Sequence, residues 1–394
     1  MLYSIGIDVG KREHHLVILD DTGQRVGKPQ TIANTRRGFD ECLQTLRVLD
    51  GSVQLALEAT GPYWLALYEY LTHAEFQVSV FNPLQVHAYR KTGVRRTKTD
   101  RVDAFWIADL LRVGGGAATT QPDGTVLQLR ELARFRWQLM DQIGDNKRKV
   151  LNVLDRVFPE YETLFSDVFL ASSRTLLKQA ANADEFAAFD LGELTALLHT
   201  HSRGRFGLAH AQKIVATAKT SIGVSFLADA AQLEVACLVS QIEFLQTQVE
   251  QVDAALAELL TQVPQHLTTI PGLGPVTAAT VLGEIGDVNR FATLEKLVAY
   301  AGIDATVHQS GQFNATQMHM SKRGSPYLRR ALWLSAFVAS QHDTEMQTYY
   351  DRKRAEGKHH NTIIGALCRK LLARIFVVLK EQRPYEVRSG SATA

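Results

Sequence analysis

Two apolar, strand-like runs near the N-terminus each close on an acid. Asp8 ends LYSIGID just before the turn at Gly10, and Glu58 ends VQLALE. A carboxylate at the end of a buried strand is costly unless a cation meets it, and strand ends are where open α/β sheets bind ligands. Asp100 and Asp103 lie three residues apart at the start of a helical segment, which puts both on one face. Four carboxylates converging on one edge repel each other, and a divalent cation relieves that repulsion. Hard oxygen donors select Mg²⁺ or Mn²⁺ over zinc. Two such ions can activate an attacking oxygen and stabilise a leaving oxygen at a phosphodiester. Taken singly, each acid reads equally well as a cap or a solvated charge, so the joint placement carries the argument.

Basic residues stand where phosphates would need them. The stretch Arg90 to Arg101 holds six Lys/Arg and one Asp, with Arg95, Arg96 and Lys98 directly before Asp100. Residues 321–394 carry 14 Lys/Arg against 6 Asp/Glu, whereas 159–264 carry 6 against 13, an asymmetry hidden by the net charge of +2. In the basic quarter, SKRGSPYLRR places Lys322, Arg323, Arg329 and Arg330 around a helix start, a phosphate site or a solvated cap. The turn IPGLGP, with Gly272 and Gly274, could present free N–H groups to a phosphate or serve only as a turn. Ser310 beside Gly311 is sterically open, and His308 would share its face in an extended segment.

The elements that must hold these residues are legible in outline. Residues 2–9 and 14–20 read as a hairpin, 28–32 as a third strand, and 53–58 and 76–81 as further strands. Helices follow Thr35, Pro62 and Pro83, and 104–113 is helical, so the first domain is α/β. The composition predicts a domain over 1–113, a linker over 114–125, a helical region over 126–264, a C-terminal domain over 265–388 and a disordered tail over 389–394. No apolar run approaches the ~18 residues of a membrane span. Cys42, Cys237 and Cys368 suggest neither a disulfide framework nor a zinc site, so a cytoplasmic protein is expected.

Beyond the linker the apolar period becomes seven. Leu132, Leu139, Ile143, Val150, Val153 and Val157 follow a 4,3 repeat completed by Arg136 and Asn146. Ala231, Val235, Leu238, Ile242, Leu245, Val249, Val252, Leu256, Leu259 and Val263 hold the repeat without a break. This predicts a coiled coil that joins at least two chains. The acidic insert 160–225 reads as helical and carries no chemical motif. A glycine turn opening a helix is expected over 271–287 and helices near 294–302, 325–341 and 361–380, with 303–320 irregular or extended.

In this order, GIDVGK, HHLVILD, LALEATGPY, RRTKTDRVDA, IPGLGPVTAATVLGEIGD, LVAYAGI, QSG and SKRGSPYLRRALW resemble the DEDD-type transposases of bacterial insertion sequences, a family described as bridge-RNA-guided serine recombinases. The resemblance implies a RuvC-like, ribonuclease-H-type fold for the first domain, with Asp8, Glu58, Asp100 and Asp103 at the four acidic positions. Ser310 matches the nucleophilic serine. Many relatives have two adjacent serines where this chain has QSG, which leaves Ser321 as the lesser alternative. The resemblance further implies DNA ends and target, a structured guide RNA, and a dimer-to-tetramer as partners. An actin-like ATPase would need a second glycine-rich phosphate loop, which the chain does not offer. A junction resolvase would not need the remaining 250 or so residues. A non-catalytic nucleic-acid scaffold would neither cut nor join DNA. No GxxxxGK[ST] motif is present, so an ATP-independent reaction is expected.

Overall fold

A computed structural model describes residues 1–92, 100–114, 124–304, 309–310, 313–314 and 320–386. The chain divides into two compact units, 1–122 and 123–394. Arg95, Arg96, Lys98, His308, most of the expected linker and the tail lie outside the described residues.

In the first unit, β1 (Leu2–Val9) and β2 (Glu13–Leu19) form the expected antiparallel hairpin, and β3 (Gln30–Ala33) adds to β2. Helix α1 (Arg36–Arg47) is capped by Thr35, whose hydroxyl accepts from the Gly38 amide. It leads to β4 (Ser52–Glu58), parallel to β1. Helix α2 (Trp64–His73) leads to β5 (Val78–Phe81), parallel to β4. The sheet order is β3-β2-β1-β4-β5. Strand β5 starts two residues later than the apolar pattern predicts, because the Phe76 amide still closes on the Leu71 carbonyl as the chain leaves α2 through Glu75 at φ +67°. Helices α3 (Pro83–Arg90) and α4 (Asp100–Arg112) complete the unit.

Alternation along the strands assigns the two faces. Ile5, Ile7, Val9, Leu16, Ile18, Leu55 and Leu57 pack with Phe39, Cys42 and Leu46 of α1 and Trp64, Leu67 and Leu71 of α2. On the opposite face, Val17 and Leu19 meet Ala104 and Ala108 of α4, while Ala56 and Phe81 meet Ile107 and Leu110. Both faces are covered, so these strands read as nearly continuous apolar runs.

The second unit begins with the long helix α5 (Gly124–Val157). The acidic insert is helical as expected: a 3₁₀ turn (Pro159–Thr163), then α6 (Ala171–Leu177), α7 (Ala183–Ala188), α8 (Leu191–His201) and α9 (Leu208–Lys219). Helix α10 (Ala228–Thr261) then returns along α5. The pairing is antiparallel, since Arg136 bonds Asp253, the Asn146 amide donates to Gln241 at 3.2 Å, and Arg156 lies 3.8 Å from Glu234.

The heptad expected to join chains finds a partner helix within its own chain. Ala231, Val235, Leu238, Ile242, Val249, Val252 and Leu256 are buried inside one chain, and their partner is α5. A heptad states that a helix has a partner and says nothing of whose helix that is. The strict repeat also slips at its end. The helix stops at Thr261, short of Val263, and burial passes from Leu259 to Leu260, as a helix of 3.6 residues per turn requires.

Helices α11 (Pro275–Ile285) and α12 (Leu294–Ala301) follow, then the two-residue strands β6 (Gln309–Ser310) and β7 (Phe313–Asn314), and then α13 (Pro326–His342), α14 (Thr344–Ala355) and α15 (His360–Glu381). Helices α11 to α15 share one apolar core with the α5–α10 hairpin. Among the described residues no helix is long and apolar enough to cross a membrane.

Candidate catalytic acids and nucleic-acid interface

Asp8 and Glu58 sit at the same end of neighbouring parallel strands, each one step beyond the paired residues Ile7 and Leu57. Asp8 shares its face with Gly6, and Glu58 shares its face with Ala56, so both point to the side covered by α4. Gly6 makes that cover possible. A Cβ there would come within 2.2 Å of the Ala104 carbonyl and 2.3 Å of the Ala108 amide. The glycine of GIDVG is therefore spent on admitting a helix rather than a phosphate. Asp103 immediately precedes Ala104, whose backbone crosses β1 at Gly6. Asp100 begins the same helix, and its side chain lies outside the described atoms.

Four further residues make polar contacts on the elements that carry these acids. His14 is buried, and its Nδ1 accepts from the Gly10 amide at 3.3 Å, which ties down the turn two residues after Asp8. Burial lowers the His14 pKa below the usual imidazole value. Tyr89 of α3 donates to Asp109 of α4 at 2.7 Å, and burial together with that bond pushes the phenol up to about 12. Arg90, the first residue of the basic stretch, donates to Asp103 at 2.6 Å. The hydroxyl of Thr60 donates to Glu58 at 2.6 Å.

The donor chemistry of Asp8, Glu58 and Asp103 suits a hard divalent cation. Among the described residues, however, no three His, Cys, Asp or Glu side chains stand close enough to hold one ion, and Asp103 is engaged by Arg90. Asp8 and Glu58 fit such an ion in donor type, face and edge, and Asp103 fits it in donor type.

In the second unit, the backbones of the LVAYAGI and SKRGSP segments interlock. The amides of Lys322 and Ser325 donate to the carbonyls of Gly302 and Tyr300, and the Ser321 hydroxyl donates to Asp304. A Cβ at Gly324 would lie 1.8 Å from the Tyr300 carbonyl, so only glycine fits there. The interlocking leaves Lys322, at φ +53°, and Arg323 exposed, while Arg329 is half-buried against the Ala301 carbonyl. Arg330 is shared, 4.2 Å above the Trp137 ring and 2.7 Å from Asp141.

Ser325 caps α13 and also donates at 2.8 Å to Glu284, a residue absent from the sequence-level site. Glu284 is 1% exposed and receives two bonds from Arg134 of α5, at 2.6 and 3.1 Å. One buried acid thus ties α5, α11 and the start of α13 together. Its sequence signal was an acid inside the otherwise apolar helix VTAATVLGEI.

Gly272, at φ +94°, allows close approach of α13, since a Cβ would lie 2.5 Å from the Ser335 carbonyl. Gly274 is open at the start of α11. Ser310 pairs with Phe313 across the β6–β7 hairpin, and its side chain lies outside the described atoms.

An acidic strand edge crossed by a carboxylate-bearing helix, followed by a helical unit with a basic loop, defines a two-part protein of the DEDD transposase class. Residues 5–159 match the model of the DEDD transposases of the IS110 type, and 264–351 match the model of the IS116/IS110/IS902 family transposases. The chain belongs to the IS110 family of insertion-sequence transposases. Relatives of nearly equal length include an uncharacterized 42 kDa protein of insertion element IS900 from Mycobacterium paratuberculosis, 27% identical across 99% of this chain and 98% of that one. The pilin gene-inverting protein of Moraxella bovis is 27% identical across 98% of both chains. The mini-circle putative transposase for IS117 of Streptomyces coelicolor is 27% identical across 98% of this chain and 96% of that one.

Proposed function

We propose that this transposase excises and inserts its own element by DNA strand exchange, with Asp8, Glu58, Asp100 and Asp103 as a Mg²⁺ or Mn²⁺ site and Ser310 as the nucleophile. The observation that supports this reading is that Asp8 and Glu58 end neighbouring parallel strands on one face of the sheet, the face that α4, the helix carrying Asp100 and Asp103, crosses at Gly6. The sheet order, an antiparallel β3-β2-β1 followed by parallel β4 and β5, supports a RuvC-like, ribonuclease-H-type unit. The bound metal would supply charge stabilisation at the reacting oxygens. In the serine step, Oγ of Ser310 bonds to phosphorus as the bond to the departing deoxyribose oxygen breaks, and the hydroxyl proton ends on that oxygen. One ester replaces another, so the step reverses on a new strand without ATP, in keeping with the absence of a GxxxxGK[ST] motif. A structured RNA would supply sequence choice by base pairing, and the expected dimer or tetramer would form through surfaces other than the seam that α5 fills.

The test is to denature the protein on a DNA substrate and map the covalent adduct by mass spectrometry. Attachment is expected at Ser310 and is lost in Ser310→Ala; attachment at Ser321 or a tyrosine would overturn the assignment.

Arg90 adds a second expectation. Its guanidinium competes with a cation for Asp103, and partly exposed pairs of this kind are worth about 1 kcal/mol. Arg90→Gln should therefore tighten Mn²⁺ binding, followed by electron paramagnetic resonance, by roughly fivefold. Weaker binding in this variant would show that Arg90 builds the site instead of blocking it.

A further inference from the structure

The second unit contains a groove of about 710 Å³ between the start of α13 and the start of α15, lined by Lys322, Arg329, Arg330, Trp333, Asn361 and Thr362, among others. Its wall combines three chemistries. Lys322 is exposed and makes a cationic rim, with Arg329 half-buried beside it. Trp333 is half-buried, packed against the core on one side and lining the groove on the other. Asn361 and Thr362, both exposed, bring an amide and a hydroxyl that can donate and accept.

We propose that this groove binds an unpaired nucleic-acid strand, with a base stacked on Trp333, its phosphates on Lys322 and Arg329, and its edge against Asn361 and Thr362. The inference rests on the nucleic-acid reading above and narrows it to one strand state and one platform. A duplex hides its base faces in its own stack and can offer this wall only phosphates. Only an unpaired base exposes a π-face to an indole recessed beside cations, the pairing of aromatic platform and basic groove that recognises single strands. Arg330 contributes less free charge than its position suggests, because Asp141 and Trp137 already share it.

The experiment measures binding of the full chain to a labelled single-stranded oligothymidylate and to a labelled duplex hairpin by fluorescence anisotropy. Trp333→Ala should weaken single-strand binding about tenfold or more, leave duplex binding within twofold, and be largely rescued in Trp333→Phe. Circular dichroism melting of each variant reports folding. An equal loss for single strand and duplex would assign Trp333 a structural role and overturn the proposal, as would unchanged single-strand binding. If the wild-type chain binds neither probe, the nucleic-acid reading itself fails, a result distinct from failure of the Trp333 platform alone.

Discussion

Asp8→Asn is expected to abolish DNA cleavage and joining while leaving the thermal melt of the protein unchanged. The substitution keeps the shape of the side chain and removes its charge, at the end of a strand whose apolar residues Ile5 and Ile7 are fully buried. Those residues hold β1 in place whatever stands at position 8, so the fold has little to lose. The reaction has much to lose, since metal-supported charge stabilisation contributes several kcal/mol, or at least about 10³-fold in rate. Glu58→Gln and Asp103→Asn should act in the same direction. The measurement is single-turnover cleavage with Mg²⁺ beside a thermal melt, and normal recombination by Asp8→Asn would refute the acidic site.

Glu284→Ala produces the largest expected loss of stability, about 2 kcal/mol after solvent screening of the partly exposed guanidinium, because it leaves Arg134 without its carboxylate. It also removes the acceptor for Ser325 and so loosens the start of α13, directly after the SKRG loop. Urea unfolding reads the loss. Glu284→Leu combined with Arg134→Met should recover part of it, since removing both charges costs less than stranding one. A single variant as stable as the wild type would show that the buried pair contributes nothing net. The double variant should still bind nucleic acid less well, because Ser325 would remain without its acidic partner.

Most strands and helices were legible because their signals are local. Alternating and continuous apolar runs marked β1, β2 and β4, Thr35 marked the start of α1, the IPGLGP turn marked the approach to α11, and an amphipathic pattern marked α13. Helix α14 escaped notice, since TEMQTYYDRKRA buries little beyond Met346 and has no apolar stripe to reveal it. The candidate acids could be named from strand ends and the i, i+3 spacing, whereas Glu284 and Arg90 could not. Their importance lies in partners 150 and 13 residues away.

The sequence by itself determined the order of elements, the acids at two strand ends, the basic C-terminal quarter and a helix bearing a long heptad. Only the tertiary structure decided that the heptad closes on α5 of the same chain, that Gly6 exists to admit α4, and that Glu284 joins three helices. The physical reason is the same in each case. Periodicity and composition report that a surface must be covered or a charge met, but the covering helix and the meeting charge are chosen by long-range packing, which no local pattern records.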